Sequence, residues 1–215
     1  MDIELPEISQ DGLNSMYART AWLLRESRKE ILRRHAVDDE AALLVKIRQG
    51  AVAEHPAYEH YLSALILDQM RAQLRAEMMA LDGGSVAALP TISVHMLLKQ
   101  ELERHYAGRM TEAPRLAQDA LVLAFDTGLL MEVRYHNSDE YSISWSYGEH
   151  QLALDTAPLH GTHASFPRHL HAADDTIRPD DATRTGAGCW ENFSALLEIL
   201  LTNPLLEMAT PGSAR

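Results

Sequence analysis

Residues 119–155 read DALVLAFDTGLLMEVRYHNSDEYSISWSYGEHQLALD, and this stretch decides the fold. Apolar residues recur there at every second position, the repeat of a strand whose side chains alternate between two faces. Asp119 to Phe125 and Leu129 to His136 are expected to be strands joined by the turn Asp126-Thr127-Gly128. Asn137-Ser138-Asp139 then turns into a strand from Tyr141 to Tyr147, and Gly148-Glu149 into one from His150 to Asp155. In the third of these, Tyr141, Ile143, Trp145 and Tyr147 face one way and three serines alternate with them. Four consecutive strands joined by short turns make an antiparallel meander.

Upstream the spacing is helical. Met16, Ala21, Leu23, Leu24, Ile31 and Leu32 mark an amphipathic helix from about Leu13 to His35, ended by the basic run Arg33-Arg34-His35. Asp38 or Asp39 can cap a second, carrying Leu43, Leu44 and Ile47 and ended by Gly50. A third opens at His55-Pro56, runs Tyr58, Tyr61, Leu62, Leu65, Ile66, Met70, Leu74 and Met78 down one face, and stops at Asp82-Gly83-Gly84. A fourth starts near Thr91 and carries Val94, Leu97, Leu98, Leu102 and Tyr106. Downstream of the meander, Trp190, Phe193, Leu196, Leu197, Leu200 and Leu201 form a last helix that packs on the sheet, and the tail from Thr210 is expected to fray. The fold class is therefore α+β: an N-terminal helical bundle or arm over residues 1–112, then a small antiparallel β-meander with a C-terminal helix over residues 116–207. The boundary falls between Tyr106 and Asp119.

Composition narrows the function. The chain has 215 residues, 46% hydrophobic and 23% charged, with no apolar run of the roughly 18–20 residues that cross a bilayer. The N-terminal Met-Asp-Ile-Glu-Leu-Pro-Glu is acidic where an export signal is basic. The single Cys189 forms no internal disulfide and reads as a small apolar core residue, which together place the chain in the cytoplasm. Net charge is -12, unevenly spread: 14 Lys+Arg against 17 Asp+Glu before residue 116, and 5 against 14 after it. The second half holds no lysine, which opposes binding to a phosphate backbone. Tyr58, Tyr61, Met70, Met78 and Met79 give the third helix apolar surface suited to a protein partner or a second copy of the chain.

The chemistry concentrates in APLHGTHASFPRHLH, residues 157–171, where four of the eleven histidines fall within twelve residues. His35, His60, His95, His105 and His136 read as structural or solvated. If His169-Leu170-His171 is extended, as Pro167 favours for the residue before it, both imidazoles share one face, expected to be solvent-facing and within reach of His160 or His163. Three readings stay open. The histidines cap a loop; or two of them act as general base and acid near neutral pH, with Arg168 or Arg134 as the cation beside a developing phosphorane; or His163, His169 and His171, with Asp174 or Asp175, ligate a divalent transition metal.

The segments Tyr141-Ser-Ile-Ser-Trp145, Leu154-Asp155-Thr-Ala-Pro158-Leu-His160 and Phe166-Pro167-Arg168-His169-Leu170-His171, followed by a short apolar helix, resemble the TumE family of toxins from toxin–antitoxin pairs. The likeness covers about residues 116–205. Leu159 and Leu170 depart from the family pattern, and an acidic stretch follows the last histidine. The resemblance implies a toxin domain that acts on RNA as a ribonuclease, with His169 and His171 as the acid/base pair, His160 and His163 assisting, and Arg168 on phosphate. Beside it stand a non-catalytic interaction module, or subunit of a larger complex, recruiting a partner through the N-terminal helices, and a metal-binding histidine cluster.

Overall fold

Helices cover the N-terminal half because each carries an apolar stripe and its own start signal. A computed structural model of the chain describes residues 9–83 and 93–207. Helix α1 spans Gln10–Arg34 and is capped by Ser9, whose hydroxyl accepts from the Gly12 amide at 3.2 Å. Helix α2, Glu40–Arg48, is capped by Asp39 rather than Asp38, at 2.8 Å from the Ala42 amide, and Gly50 follows it with φ +65°, a conformation glycine adopts without penalty. Helix α3 is Glu54–Gly83 and α4 is Val94–Tyr106, capped by Ser93. The expected stop of α3 at Gly84 and start of α4 at Thr91 lie outside the described residues, as does the tail from Thr210.

Among the described residues seven strands follow, not four. They are β1 Arg115–Leu116, β2 Leu121–Ala124, β3 Leu130–Tyr135, β4 Tyr141–Tyr147, β5 His150–Asp155, β6 His169–His171 and β7 Ile177–Pro179. Each pairs antiparallel with the next, so the sheet order is the chain order. The three extra strands have two or three residues each, too short for an alternating pattern to be legible. Helix α5, Cys189–Leu200, closes the fold.

The apolar side chains form two cores. In the first, Leu121, Leu123, Met131, Val133, Tyr135, Tyr141, Ile143, Trp145, Leu152, Leu154 and Leu170 cover one face of the sheet, closed over by Leu98, Leu102 and Tyr106 of α4 and Phe193, Leu196, Leu197 and Leu200 of α5. Helix α4 thus packs with the sheet, although it lies in the 1–112 region. Trp145 finds its acceptor in the Pro204 carbonyl at 2.8 Å. In the second core, Leu43 and Ile47 of α2 meet Tyr58, Tyr61, Leu62 and Ile66 of α3, together with Ala157 from the histidine segment. Cys189 is half-buried, and burial pushes its thiol up. Several apolar residues expected to face a core are exposed instead, Met16 and Leu23 on α1 and Leu97 on α4; on α3, Met70 and Met79 are exposed as expected of a partner surface, but Tyr58 and Tyr61 are not, because α2 covers them in the second core. Among the described residues, no helix is long and apolar enough to cross a membrane.

His95 is structural, as expected, and its position explains why. The β2–β3 ladder ends at Leu121 and Val133. The Tyr135 amide beyond it donates instead to His95 Nε2 at 3.1 Å, which requires a neutral ring. Burial drives the His95 pKa down to about 4, with the Asp119 charge opposing and the Arg134 charge assisting. The unfolded chain, with an ordinary histidine, therefore binds the proton more readily, so this contribution to stability is complete above about pH 6.5 and is lost as pH falls toward 4. Its size is on the order of 3 kcal/mol. Replacing His95 with Leu should destabilise the protein at pH 7.5, and the gap from wild type in denaturant unfolding should narrow steadily between pH 6.5 and 4.

Candidate functional site

The face of the sheet turned away from the first core is polar, and its side chains fall in rows across the strands. The register aligns Arg134, Ser142, Asp155 and His169 in one row. The next row is Val122, Glu132, Ser144, Ala153, His171 and Ile177. Helix α3 lies over the first row and meets its strands in turn. Ser63 bonds Asp119 and lies 3.2 Å from Arg134 Nε, Glu59 accepts from Ser142 at 3.3 Å, His55 Nε2 lies 3.4 Å from Asp155 Oδ2, and Glu54 Oε1 lies 2.7 Å from His169 Nε2. Glu59 and Ser63 are four residues apart, a rise of about 6 Å on a helix. Strands are about 4.8 Å apart, so one stripe of a crossing helix can address successive strands.

The start of α3 is bent to the purpose. His55 has φ −100° and ψ 134°, extended backbone of the kind a following proline favours. In a continuous helix neighbouring side chains diverge by about 100°. The extended residue lets both Glu54 and His55 reach the sheet.

Seven titratable side chains converge there: Glu54, His55 and Glu59 from α3, and Asp155, His160, His169 and His171 from the sheet half. Asp155 is fully buried and His169 is 1% exposed. His169 Nδ1 donates to the Pro167 carbonyl at 2.9 Å, which leaves Nε2 aimed at two carboxylates, Glu54 Oε1 at 2.7 Å and Asp155 Oδ1 at 3.4 Å. His171 Nε2 lies 3.5 Å from both Glu54 Oε1 and Asp155 Oδ2. His160 Nε2 meets Glu54 Oε2 at 2.9 Å. Glu59 Oε1 holds His55 Nδ1 at 2.6 Å, which turns His55 Nε2 toward Asp155. Asp155 Oδ1 accepts the Ala157 amide at 2.8 Å, while Asp155 Oδ2, His55 Nε2 and His171 Nε2 are buried with no hydrogen-bond partner.

The electrostatics follow from that crowding. Burial alone pushes Glu54 up, but the bonds from His169 and His160 and the nearby His171 ring hold its carboxyl well below the usual range. Burial pushes Asp155 up, only partly offset by the charges of His169 and His55. Burial lowers His55 and His169, yet the carboxylates outweigh it: Glu59 with Asp155 and Glu54 lift His55 to about 9, and Glu54 with Asp155 raise His169. The same carboxylates that raise His55 and His169 would also favour a cation placed among them. One oxygen or nitrogen each from Glu54, Asp155, His169 and His171 lies within 4.8 Å of the others, so these four can share an ion.

His169 and His171 share one face as the spacing predicts, with ring centroids 4.8 Å apart, and His160 reaches His169 at 4.7 Å. The expectation that both face solvent fails for His169, because α3 covers its row. His163 stands outside the cluster, its ring 6.1 Å from that of His160. Arg168 points to the other side of the strand, its Nε 3.6 Å from Asp180 Oδ2. Asp174 pairs with Arg178 at 2.6 Å, away from the cluster. Arg134 is held by Asp119 at 3.0 Å and by Glu132. The residues that sequence reading missed are Glu54, His55, Glu59 and Asp155. For His55 and Glu59 the signal was a polar stripe, His55, Glu59 and Ser63 at four-residue spacing, beside the apolar stripe of Tyr58, Leu62 and Ile66.

A model of the uncharacterized protein MJ0235 family matches residues 7–86, the part of the chain that supplies Glu54, His55 and Glu59 but none of the sheet. No curated protein and no solved structure matches the chain.

The seam between α3 and the sheet is pinned by Tyr58, whose hydroxyl lies 2.9 Å from Thr156 Oγ1, itself the acceptor of the Tyr141 amide. Tyr58→Phe should cost about 1 kcal/mol in denaturant unfolding. Thr156→Val, which strands both the hydroxyl and the amide, should cost about 2–3 kcal/mol.

Proposed function

We propose that this protein is a metal-dependent hydrolase whose divalent transition-metal ion is held by Glu54, Asp155, His169 and His171. One observation carries the reading: the backbone bond of His169 Nδ1 leaves its buried Nε2 aimed at two carboxylates, beside a buried Asp155 oxygen and a His171 nitrogen that bond nothing. Buried polar groups are normally satisfied, so a gap with donors on every side calls for a cation. The spacing agrees. Ligands about 2.0–2.2 Å from a common ion lie about 3.0–3.6 Å from one another. The contacts between the imidazole nitrogens and the carboxylate oxygens run from 2.7 Å to 3.5 Å, and one ligand atom from each residue lies within 4.8 Å of the others. Two imidazoles with two carboxylates suit zinc, manganese, iron or cobalt better than magnesium or calcium, which take oxygen alone.

The remaining residues fit supporting roles. The Pro167 carbonyl fixes the tautomer of His169, the outer bond that metal-bound histidines usually make. His160 orients Glu54 through its second oxygen. His55, backed by Glu59, turns its Nε2 toward Asp155 Oδ2 at 3.4 Å, where it can orient that carboxylate. An ion bound here would supply Lewis acidity and a water ionised near neutral pH.

The toxin-like reading, RNA cleavage by His169 and His171, draws support from their shared face. It also needs a cation beside the phosphate, and Arg168 and Arg134 are both engaged by carboxylates. Contact with a protein partner or a second copy would fall on α1 and α3, where Met16, Trp22, Leu23, Met70 and Met79 are exposed.

Elemental analysis of protein purified without chelator should find about one transition-metal ion per chain. His171→Ala and Glu54→Gln should each weaken ion binding by more than the roughly 10–100-fold typical of an outer-shell partner, while the far-ultraviolet spectrum is kept. Protein that stays metal-free after dialysis against zinc, manganese and cobalt would overturn the proposal. RNA cleavage that persists in excess chelator and is lost in His169→Ala would favour the toxin-like reading instead.

A further inference from the structure

Asp155 presents its two oxygens to different neighbours. Oδ1 accepts the Ala157 amide and lies 3.4 Å from His169 Nε2, whose other neighbour is Glu54 Oε1 at 2.7 Å. Oδ2 lies 3.4 Å from His55 Nε2 and 3.5 Å from His171 Nε2. Asp155 is fully buried, and Oδ2 and both of these nitrogens are buried without a hydrogen-bond partner. The two rings that flank Oδ2 have centroids 4.2 Å apart and stand nearly edge to face. A single ion among Glu54, Asp155, His169 and His171 satisfies His171 and leaves His55 Nε2 with nothing.

The spacing and the support around these atoms are those of a second ligand set. Ligands about 2.0–2.2 Å from one ion lie about 3.0–3.6 Å apart, and both contacts to Oδ2 fall in that interval. A metal-bound imidazole usually gives its other N–H to a carboxylate or a carbonyl. His55 does so through Nδ1, held by Glu59 Oε1 at 2.6 Å, just as His169 Nδ1 is held by the Pro167 carbonyl. A structural ion pair between His55 and Glu59 would account for Nδ1 and strand Nε2. His55, Glu59 and His171 also border an open cavity of about 690 Å³, which gives an ion a path from solvent to this side of Asp155.

We propose that the cluster holds a second divalent transition-metal ion, ligated by His55 Nε2, His171 Nε2 and Asp155 Oδ2, with the Asp155 carboxylate bridging it to the first. With one ion bound, His55 only orients Asp155. With two, His171 belongs to the second ion, and the first keeps Glu54, His169 and Asp155 Oδ1. Ions in two-metal sites stand about 3.5–4 Å apart, a pair that can hold both the attacking and the leaving oxygen of one displacement. The first dication repels the second, which therefore binds more weakly. This rests on the hydrolase reading for the first ion, but His55 is not among that ion's ligands, so the two can fail separately.

The test is titration of the full chain, stripped with chelator and dialysed, with zinc and with manganese, read by calorimetry and by electron paramagnetic resonance of the manganese form. Binding should saturate at two ions per chain in two steps, the first tighter, and the two-ion manganese form should show spin coupling between the ions. His55→Ala should abolish the second step and the coupling and keep the first step. Glu59→Gln, which leaves every proposed ligand in place, should weaken the second step by about tenfold and spare the first. It decides the matter if His55→Ala loosens α3. Saturation at one ion per chain, a second ion magnetically isolated from the first, or a second step that both variants leave unchanged would overturn the second site while the one-ion hydrolase reading stands. Protein that binds no ion at all would remove both.

Discussion

The match between one stripe of helix α3 and one row of the sheet is the constraint on which the rest depends. A helix rises about 6 Å in four residues and strands repeat at about 4.8 Å, so a helix laid across a sheet can present side chains to consecutive strands. Here Ser63, Glu59, His55 and Glu54 meet Arg134, Ser142, Asp155 and His169. Were the helix shifted by one residue, its apolar stripe of Tyr58, Leu62 and Ile66 would leave α2 and face charged groups. The polar seam and the second apolar core therefore enforce one another.

Such a seam is an expensive way to join two parts. Buried carboxylates and imidazoles lose hydration that their mutual attraction only partly restores, and well-packed apolar residues would often serve stability better. The groups at the far end of α3, from Ser63 to Arg134, are satisfied by one another. Those at its start are not, and the unpartnered atoms of Asp155, His55 and His171 gather at one place. That concentration separates a structural ion-pair seam from a site. It also means that neither half of the chain owns the site: Glu54, His55 and Glu59 come from the segment matched by the MJ0235 family model, and Asp155, His160, His169 and His171 from the sheet beyond it.

The acidic balance of the second half takes on a location in this light. Asp155 joins Glu54 and Glu59 of the first half in raising the proton affinity of His55 and His169, and Glu132 stands in the next row of the sheet. Arginines that the sequence places near the histidines are spent on other carboxylates: Arg168 beside Asp180, Arg134 between Asp119 and Glu132. Proximity in sequence put Arg168 next to His169, and strand alternation sent the two side chains to opposite faces.

The sequence by itself determined the α+β class, the β2–β5 meander, the helices, and the shared face of His169 and His171. These rest on local periodicity, turn residues and caps, which act over a few positions. It left β1 and β7 illegible, and offered β6 as an extended segment without its sheet partners, because two- or three-residue strands exist through their neighbours' hydrogen bonds. It could not assign Glu54, His55, Glu59 or Asp155 to a site, since Glu54 and His169 are 115 residues apart and meet only when α3 docks on the sheet. Solvent exposure of His169 was misjudged for the same reason: a strand's polar face is wet until another element covers it. Tertiary structure alone decided which histidines join carboxylates and which do not, because cross-strand register and helix docking are long-range choices that no local pattern encodes.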